Sequence, residues 1–252
     1  MPETTRLERE KEFHDERFTE ETRVKSQKFY SIVKESKQFY SEQIFENLKN
    51  KKVLEIGCAT GAFSQKILTH DVEELIGIDI SEVAIQKSRE LNIARSGNSK
   101  FLIMDGAELK FTENYFDKII GQSVLHHLDF EKAIKNISSV LSESGKGIFL
   151  EPLGMNPLIN LYRKLTPNER TEDEKPLENE ELEIFNKYFN EVKITHFYFF
   201  TLFAVLFRNM FFFEKLKLFL MGIDNYLFKF SFFQKFAWTV VIELSKPVRF
   251  PK

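Results

Sequence analysis

The chain has 252 residues, 42% of them hydrophobic, which is enough to form a sizeable core and excludes wholesale disorder. Its formal net charge is −2 with both signs interspersed, so nothing in the composition indicates a nucleic-acid partner. Cys58 is the only cysteine, which excludes an internal disulfide, and the charged stretch 1–23 lacks the apolar core of a signal peptide.

The first 50 residues predict a charged helical cap, because Phe29, Ile32 and Val33 recur at helical spacing. From residue 51 onward, short apolar runs alternate with helical stretches. The predicted strands are 53–56, 74–79, 101–104, 116–121 and 146–150. The predicted helices are 62–70, one opened by Ser81 and Glu82, and 129–141, which Asp129 is placed to cap. This alternation predicts an α/β fold with a doubly wound, mostly parallel sheet.

The regular alternation stops after Glu151. Four prolines between 152 and 176 predict a loop with short helical pieces. A helix is predicted at 179–189, and strands at 192–198 and 237–244 bring the sheet to seven strands. The last two strands are separated by residues 199–236, a segment that is unusually rich in phenylalanine.

Polar residues stand where the predicted strands end. In open parallel sheets, ligands bind beyond the carboxyl ends of the strands. A glycine turn, Gly57 to Gly61, follows the first strand and would let backbone N–H groups approach a ligand closely. Asp79 closes the second strand at a spacing that suits a ribose diol. These features also fit a dinucleotide site, but the G-x-x-x-G spacing and the Asp105-Gly106 pair after the third strand favour S-adenosylmethionine (SAM).

Five ordered motifs cover about one hundred residues and carry a family resemblance. They are VLEIGCATG (53–61), IGIDIS (76–81), MDGAEL (104–109), FDKIIGQSVLHHL (116–128) and LSESGKGIFLEP (141–152). In this order they resemble the class I SAM-dependent methyltransferases, especially the small-molecule group with the ubiquinone and menaquinone enzymes. The resemblance implies a Rossmann-like methyltransferase fold. Ala59 departs from the pattern, since many members have glycine there.

The resemblance implies roles for individual residues. Glu55, Gly57 and Gly61 would shape the methionine pocket, together with Cys58 and Ala59 in the same turn. Asp79 would bind the ribose and Ile80 would pack on the adenine. The adenine edge would be held by Asp105, Gly106 and Ala107, and Gln122 would face the methionine amine. The alternative for Asp79 and Asp105 is helix capping, and Cys58 is expected to be a small packed residue rather than a nucleophile.

Three residues are candidates for catalysis: His126, His127 and Glu151. Methyl transfer mainly requires alignment of the acceptor, and a base only where the acceptor must lose a proton. Both histidines follow the fourth strand, and imidazole suits base chemistry near neutral pH. The alternative for each histidine is packing or a backbone hydrogen bond. Glu151 could equally be a loop hydrogen-bond acceptor.

The segment after the fifth strand is expected to overhang the cleft. Its candidate substrate contacts are Asn156, Tyr162, Arg163 and Arg170. The two arginines suit a phosphate or carboxylate, although for Arg170 the favoured alternative is pairing with the acidic run 172–174. No metal site is predicted, because three adjacent carboxylates do not converge on one ion and no His/Cys ligand spacing is present.

The phenylalanine-rich segment admits three interpretations. Of the 28 phenylalanines, 14 lie between Phe197 and Phe236, but Arg208 interrupts the most apolar run and disfavours a membrane span. The segment could lie on a membrane surface, line a pocket for a lipid-like substrate, or form a self-contained helical cap. The first two are favoured. The expected location is therefore cytoplasmic, with peripheral membrane contact through 199–236 as an option.

The sequence thus predicts an enzyme that methylates a small, hydrophobic or lipid-linked acceptor at O, N or C, leaving S-adenosylhomocysteine. The alternatives are a non-catalytic SAM-binding or membrane-associated scaffold protein and an NAD-dependent oxidoreductase. The predicted division is a helical cap at 1–50, a SAM-binding core at 51–152, a substrate-side loop and helix at 153–190, and the last two strands with their insertion (199–236) at 191–252.

Overall fold

The computed structural model describes residues 6–19, 32–92, 97–165 and 175–249. Two of the sequence predictions fall outside these ranges. They are the helical spacing that begins at Phe29, and Arg170 with the acidic run beside it.

One seven-stranded sheet organises the chain, as predicted. Its strands are β1 (Lys52–Ile56), β2 (Glu74–Asp79), β3 (Ser99–Ile103), β4 (Phe116–Gln122), β5 (Leu141–Pro152), β6 (Phe189–Phe197) and β7 (Thr239–Pro247). Their order across the sheet is β3-β2-β1-β4-β5-β7-β6. The first five pair in parallel, whereas β7 is antiparallel to both of its neighbours. The fifth strand begins earlier than predicted, because Leu141 already pairs with Phe116 across an irregularity in the ladder.

Seven helices precede the sheet or connect its strands in this part of the described chain. They are α1 (Arg6–Thr19), α2 (Lys34–Phe45), α3 (Ala62–Leu68), α4 (Glu82–Leu91), α5 (Phe130–Val140), α6 (Pro157–Leu165) and α7 (Asn179–Tyr188). Ser81 caps α4 as predicted, with its Oγ accepting from Ala84 N at 3.0 Å. The capping role predicted for Asp129 is wrong. Asp129 holds the N-cap position of α5, but its side chain makes no capping hydrogen bond within the described residues.

Both faces of the sheet are buried, which explains why its strands are almost wholly apolar. In β1, Leu54 and Ile56 belong to one core cluster, whereas Val53 belongs to another with Tyr40 and Ile44 of α2. Successive side chains of a strand point to opposite faces, so the two clusters lie on the two sides of the sheet. The architecture is therefore doubly wound.

The phenylalanine-rich insertion is helical and emerges beside the carboxyl ends of the parallel strands. Between β6 and β7 it forms a 3-10 segment (Phe200–Phe207), α8 (Phe213–Leu227) and α9 (Ser231–Gln234). Thr239, where β7 starts, pairs with Pro152, where β5 ends, so the insertion returns to the sheet at that edge. Its buried side chains cluster with Ile159 of α6 and Ile32. Among the described helices, none combines the length and apolarity that a membrane span requires.

Candidate functional site

The turn after β1 is built from left-handed backbone. Gly57, Ala59 and Gly61 have φ values of 70°, 48° and 76°. A Cβ on Gly57 would stand 2.9 Å from Val124 Cγ2, and one on Gly61 would stand 2.6 Å from Asn92 Nδ2. Both sites thus require glycine for conformation and for space. Ala59, where the sequence departs from the usual glycine, adopts the same left-handed region at a moderate conformational cost.

Asp79 lies against this turn. Its Oδ2 accepts from Ala59 N and its Oδ1 accepts from Ser81 N, each at 2.9 Å. Burial raises the pKa of the Asp79 carboxyl, and the two backbone N–H groups oppose that shift. Helix capping was the alternative role for Asp79, but α4 is capped by the hydroxyl of Ser81. The carboxylate is therefore fixed at the junction of the glycine turn and β2.

The loop after β3 lies beside that junction. Met104 N donates to the Asp79 carbonyl at 3.0 Å, which keeps the ends of β2 and β3 together. Asp105 Oδ1 accepts from Ala107 N at 2.8 Å and closes a turn rather than capping a helix. A Cβ on Gly106 would stand 2.8 Å from Ile56 Cγ2, so this loop packs tightly against β1. Asp79 and Asp105 thus share one edge of the sheet.

Glu55, near the end of β1, and Cys58, within the turn, are both buried. Burial raises the pKa of Glu55 to about 7, and the hydrogen bond from Ser64 Oγ to Glu55 Oε2, at 2.5 Å, partly opposes this. Burial also raises the pKa of Cys58 well above its ordinary value. The sulfur packs with Ile85 and Phe101. A neutral, enclosed thiol matches the expected packing role and disfavours a nucleophile.

Glu151 and His126 form a fully enclosed pair at the ends of β5 and β4. Glu151 Oε2 lies 2.6 Å from His126 Nδ1, and Glu151 Oε1 accepts from Val124 N and Leu125 N at 2.9 Å each. The Glu151 side chain is 0% exposed and that of His126 is 3% exposed. Because a carboxylate accepts, the imidazole donates from Nδ1, which fixes its tautomer and orientation. Glu151 therefore holds both the loop and the ring.

His127 faces the N-terminal helix instead. Its Nδ1 lies 3.2 Å from Glu10 Oε2, and His14 Nε2 lies 3.6 Å from the same oxygen. At the next residue of α1, Asp15 Oδ1 accepts from Ser81 Oγ at 2.5 Å. Helix α1 therefore lies across the ends of β2 and β4. Sequence reasoning missed Glu10, His14 and Asp15, because a charged helix gives no signal of where it docks.

The predicted substrate contacts have different surroundings. Asn156 is buried, with Oδ1 accepting from Leu158 N and Ile159 N at 3.1 Å each and Nδ2 donating to Phe236 O at 2.7 Å. It caps α6 and ties that helix to the end of the insertion, which favours a structural role. Tyr162 and Arg163 are half-buried on α6, and Arg163 contacts Asn160 Oδ1 at 3.2 Å.

Gln122, which was predicted to face the methionine amine of the cofactor, is exposed at the end of β4.

Comparison with known sequences adds a family match. The profile of a family described as methyltransferase domain matches residues 47–192. That range holds β1 to β5 and every candidate cofactor residue named above. The match covers more than half of the chain.

Two curated relatives illustrate the range of similar proteins. A ubiquinone biosynthesis O-methyltransferase from Nitrosomonas europaea is 28% identical over 125 residues, which is 49% of this chain and 52% of that protein. An eEF1A lysine and N-terminal methyltransferase from Bos taurus is 28% identical over 99 residues, 38% of this chain and 14% of that protein. The chain thus spans about half or less of these relatives' lengths.

Solved structures share the fold. A phosphoethanolamine N-methyltransferase 2 from Haemonchus contortus, in complex with phosphomonomethylethanolamine and S-adenosylhomocysteine, superposes with a TM-score of 0.63. The alignment covers 96% of this chain and 60% of that chain at 14% identity. At this identity the likeness concerns the fold alone.

Proposed function

This chain belongs to the methyltransferase domain family, and we propose that it transfers a methyl group from SAM to a small, hydrophobic or lipid-linked acceptor. The observation that carries the SAM proposal is the Asp79 carboxylate, fixed against the left-handed turn by Ala59 N and Ser81 N. The nicotinamide alternative gains no support from the two relatives described above, which are both named as methyltransferases.

The residues at the carboxyl edge of the sheet fit the cofactor. Asp79 would accept from the ribose hydroxyls, with Ile80 packing on the adenine beside it. Asp105, Gly106 and Ala107 would hold the adenine edge. The methionine end would lie along the turn, which is formed by Glu55, Gly57, Cys58, Ala59 and Gly61 and faces Gln122. When bound, SAM supplies an activated methyl group on a sulfonium. A cationic centre suits this edge, which is lined by carboxyl groups.

The Glu151–His126 pair supports a role in proton handling. We propose His126 as the group that takes the acceptor's proton where one must leave, with Glu151 as its positioning residue. Glu151 holds the ring through Nδ1 and anchors Val124 and Leu125 beneath it. An oriented imidazole loses little freedom when it accepts a proton, so the pair suits general-base work. His127, engaged by Glu10, is the weaker candidate for this role.

The hydrophobic nature of the acceptor is inferred from the insertion. Exposed apolar side chains are concentrated there and on α6, at the edge of the sheet where the glycine turn lies. Ten large hydrophobic residues between Phe203 and Phe232 are exposed. The insertion 199–236 contains five basic and two acidic residues, a net charge of +3 in a chain of net charge −2. An apolar surface with cationic side chains suits anionic lipid headgroups. We therefore infer peripheral contact with a lipid surface that carries the acceptor.

Calorimetry of the full chain tests the cofactor proposal. SAM and S-adenosylhomocysteine should both bind, and Asp79→Asn should weaken both roughly tenfold or more, because a buried diol loses a charged acceptor. The exposed Asp71→Asn variant is the matched control and should bind as the wild type does. A folded wild-type protein that binds neither compound would refute the proposal.

Labelled methyl transfer then tests the acceptor class. The wild-type protein, labelled SAM and a cell extract split into lipid and aqueous fractions should yield label in the lipid fraction. Label only in the aqueous fraction would contradict a lipid-like acceptor while leaving methyl transfer intact. SAM binding without transfer to either fraction would favour the non-catalytic SAM-binding scaffold.

A further inference from the structure

Three side chains from two distant parts of the chain converge beside the candidate site. Glu10 and His14 lie one turn apart on α1, and His127 lies in the loop after β4. One ligand atom from each, two imidazole nitrogens and one carboxylate oxygen, lie within 4.8 Å of one another. Glu10 is buried, and both histidines are partly buried. We propose that these residues bind a Zn²⁺ ion that fastens α1 to the loop after β4.

The separations fit a tetrahedral ion. Bonds of about 2.0 to 2.1 Å at tetrahedral angles place two ligand atoms roughly 3.3 Å apart. The Glu10 oxygen lies 3.2 Å from His127 Nδ1 and 3.6 Å from His14 Nε2. Two imidazoles and one carboxylate form a ligand set typical of zinc sites that leave one coordination position open for water or substrate. Bringing these ligands together around an ion therefore requires little rearrangement.

Secondary contacts already hold the ligands in place. The His14 and His127 rings meet edge to face with centroids 5.5 Å apart, and the His126 ring lies beside that of His127, tilted by 38°, with centroids 4.2 Å apart. Asp15 holds α1 to Ser81, one residue further along the helix from His14. A site supported by neighbouring contacts loses less conformational freedom when the ion binds. Spacing along the sequence predicts no metal here, since the ligands come from elements far apart in the chain.

The ordinary alternative is an ion pair between Glu10 and protonated histidines. That pair would fasten α1 without an ion and would be indifferent to zinc. The two alternatives differ first in saturable zinc affinity, which is measured in the absence of SAM. Because the measurement omits SAM, its failure leaves the methyltransferase proposal untouched.

The test is calorimetry of the full chain with Zn²⁺ after removal of metals by a chelator. The wild type should bind one equivalent, and His14→Ala and Glu10→Gln should each weaken binding roughly a hundredfold or more. Glu12→Gln on the exposed side of the same helix and His70→Ala, at a partly buried histidine just after α3, are the matched controls, and both should bind as the wild type does. No saturable binding, or equal affinity in wild type and both ligand variants, would overturn the site.

A second measurement distinguishes the loss of a metal ligand from a displacement of α1 in the variant. Co²⁺ bound in place of Zn²⁺ should show the visible bands of tetrahedral cobalt with imidazole ligands, a signature that a displaced helix alone does not produce. Zn²⁺ should also protect α1 from limited proteolysis in the wild type and in Glu12→Gln, but not in Glu10→Gln. Protection that is identical with and without Zn²⁺ in the wild type would indicate the ion pair instead.

Discussion

At the scale of single residues, the buried carboxyl of Glu55 couples proton binding to stability. Its pKa in the folded protein is about 7, above its ordinary value of 4.5, because burial disfavours the charged form. The folded state therefore binds this proton more tightly than the unfolded chain does. The resulting stabilisation is complete below about pH 4.5 and is lost as the pH rises through about 7.

Glu55→Gln should remove this pH dependence. Glutamine keeps the shape of the side chain but does not ionise. The free energy of unfolding of the variant, relative to that of the wild type, should therefore rise with pH. The rise between pH 5 and pH 8 should reach at most about 3 kcal/mol, at about 1.4 kcal/mol per pKa unit. Urea unfolding at several pH values measures it. Exposed Glu82→Gln should show no such trend, and a flat difference for Glu55→Gln would contradict the prediction.

The positions of several candidate site residues could be predicted from the sequence, because these residues directly follow strands of the sheet. Apolar runs in the sequence predict the strands that lead to the turn Gly57–Gly61 and to Asp79. Because these strands pair in parallel, their carboxyl ends lie at the same edge of the sheet. The contacts of Glu10 and His127 could not be predicted in this way. They depend on how α1 docks, and the contacts of α1 with His127 and Ser81 are polar and join residues far apart in the chain. The hydrogen bonds of Asn156 could not be predicted for the same reason, since its three partners include Phe236 O at the end of the insertion.

At the scale of elements, a buried carboxylate organises the insertion. Asp224 of α8 is 2% exposed and accepts from Phe199 N, Phe200 N and Thr201 N, at 2.9, 2.7 and 3.1 Å. The Thr201 hydroxyl adds a fourth bond at 2.6 Å. These donors are the N–H groups at the start of the 3-10 segment, which have no partner within that segment. Asp224 thus satisfies them and joins the two helical pieces of the insertion.

Asp224→Asn should destabilise the insertion by about 2 to 4 kcal/mol, because an amide turns a donor toward buried N–H groups. Thr201→Val removes one of the four bonds and should cost about 1 kcal/mol. Hydrogen exchange should rise first in residues 199–227, ahead of the strands of the parallel sheet. Exchange that rises uniformly over the whole chain would show that the insertion is not a separate cooperative unit.

At the scale of the whole molecule, the insertion between β6 and β7 adds an exposed apolar surface that a short turn between these strands would not provide. Phe211 is 98% exposed and Phe219 is 66% exposed. Lys235 Nζ lies 4.7 Å from the centre of the Phe232 ring, so a cation accompanies the exposed aromatic surface. Such an arrangement is unfavourable in water but suits an interface where rings enter the acyl region and amines meet headgroups.

Sedimentation with anionic phosphatidylglycerol vesicles tests this surface. The wild type should bind, and the double variant Phe211→Ser/Phe219→Ser should bind at least roughly tenfold more weakly, because each buried ring contributes about 1.5 to 3 kcal/mol. Leu91→Ser, an exposed apolar residue at the end of α4, is the matched control and should bind like the wild type.

Added salt separates the two contributions to membrane binding. It should weaken wild-type binding in part, by screening the lysines, and leave the apolar part in place. If the double variant binds vesicles as tightly as the wild type, the apolar surface serves another purpose. A concentration-dependent change in the mass of the wild type, absent from the double variant, would then identify a second copy of the chain as its partner.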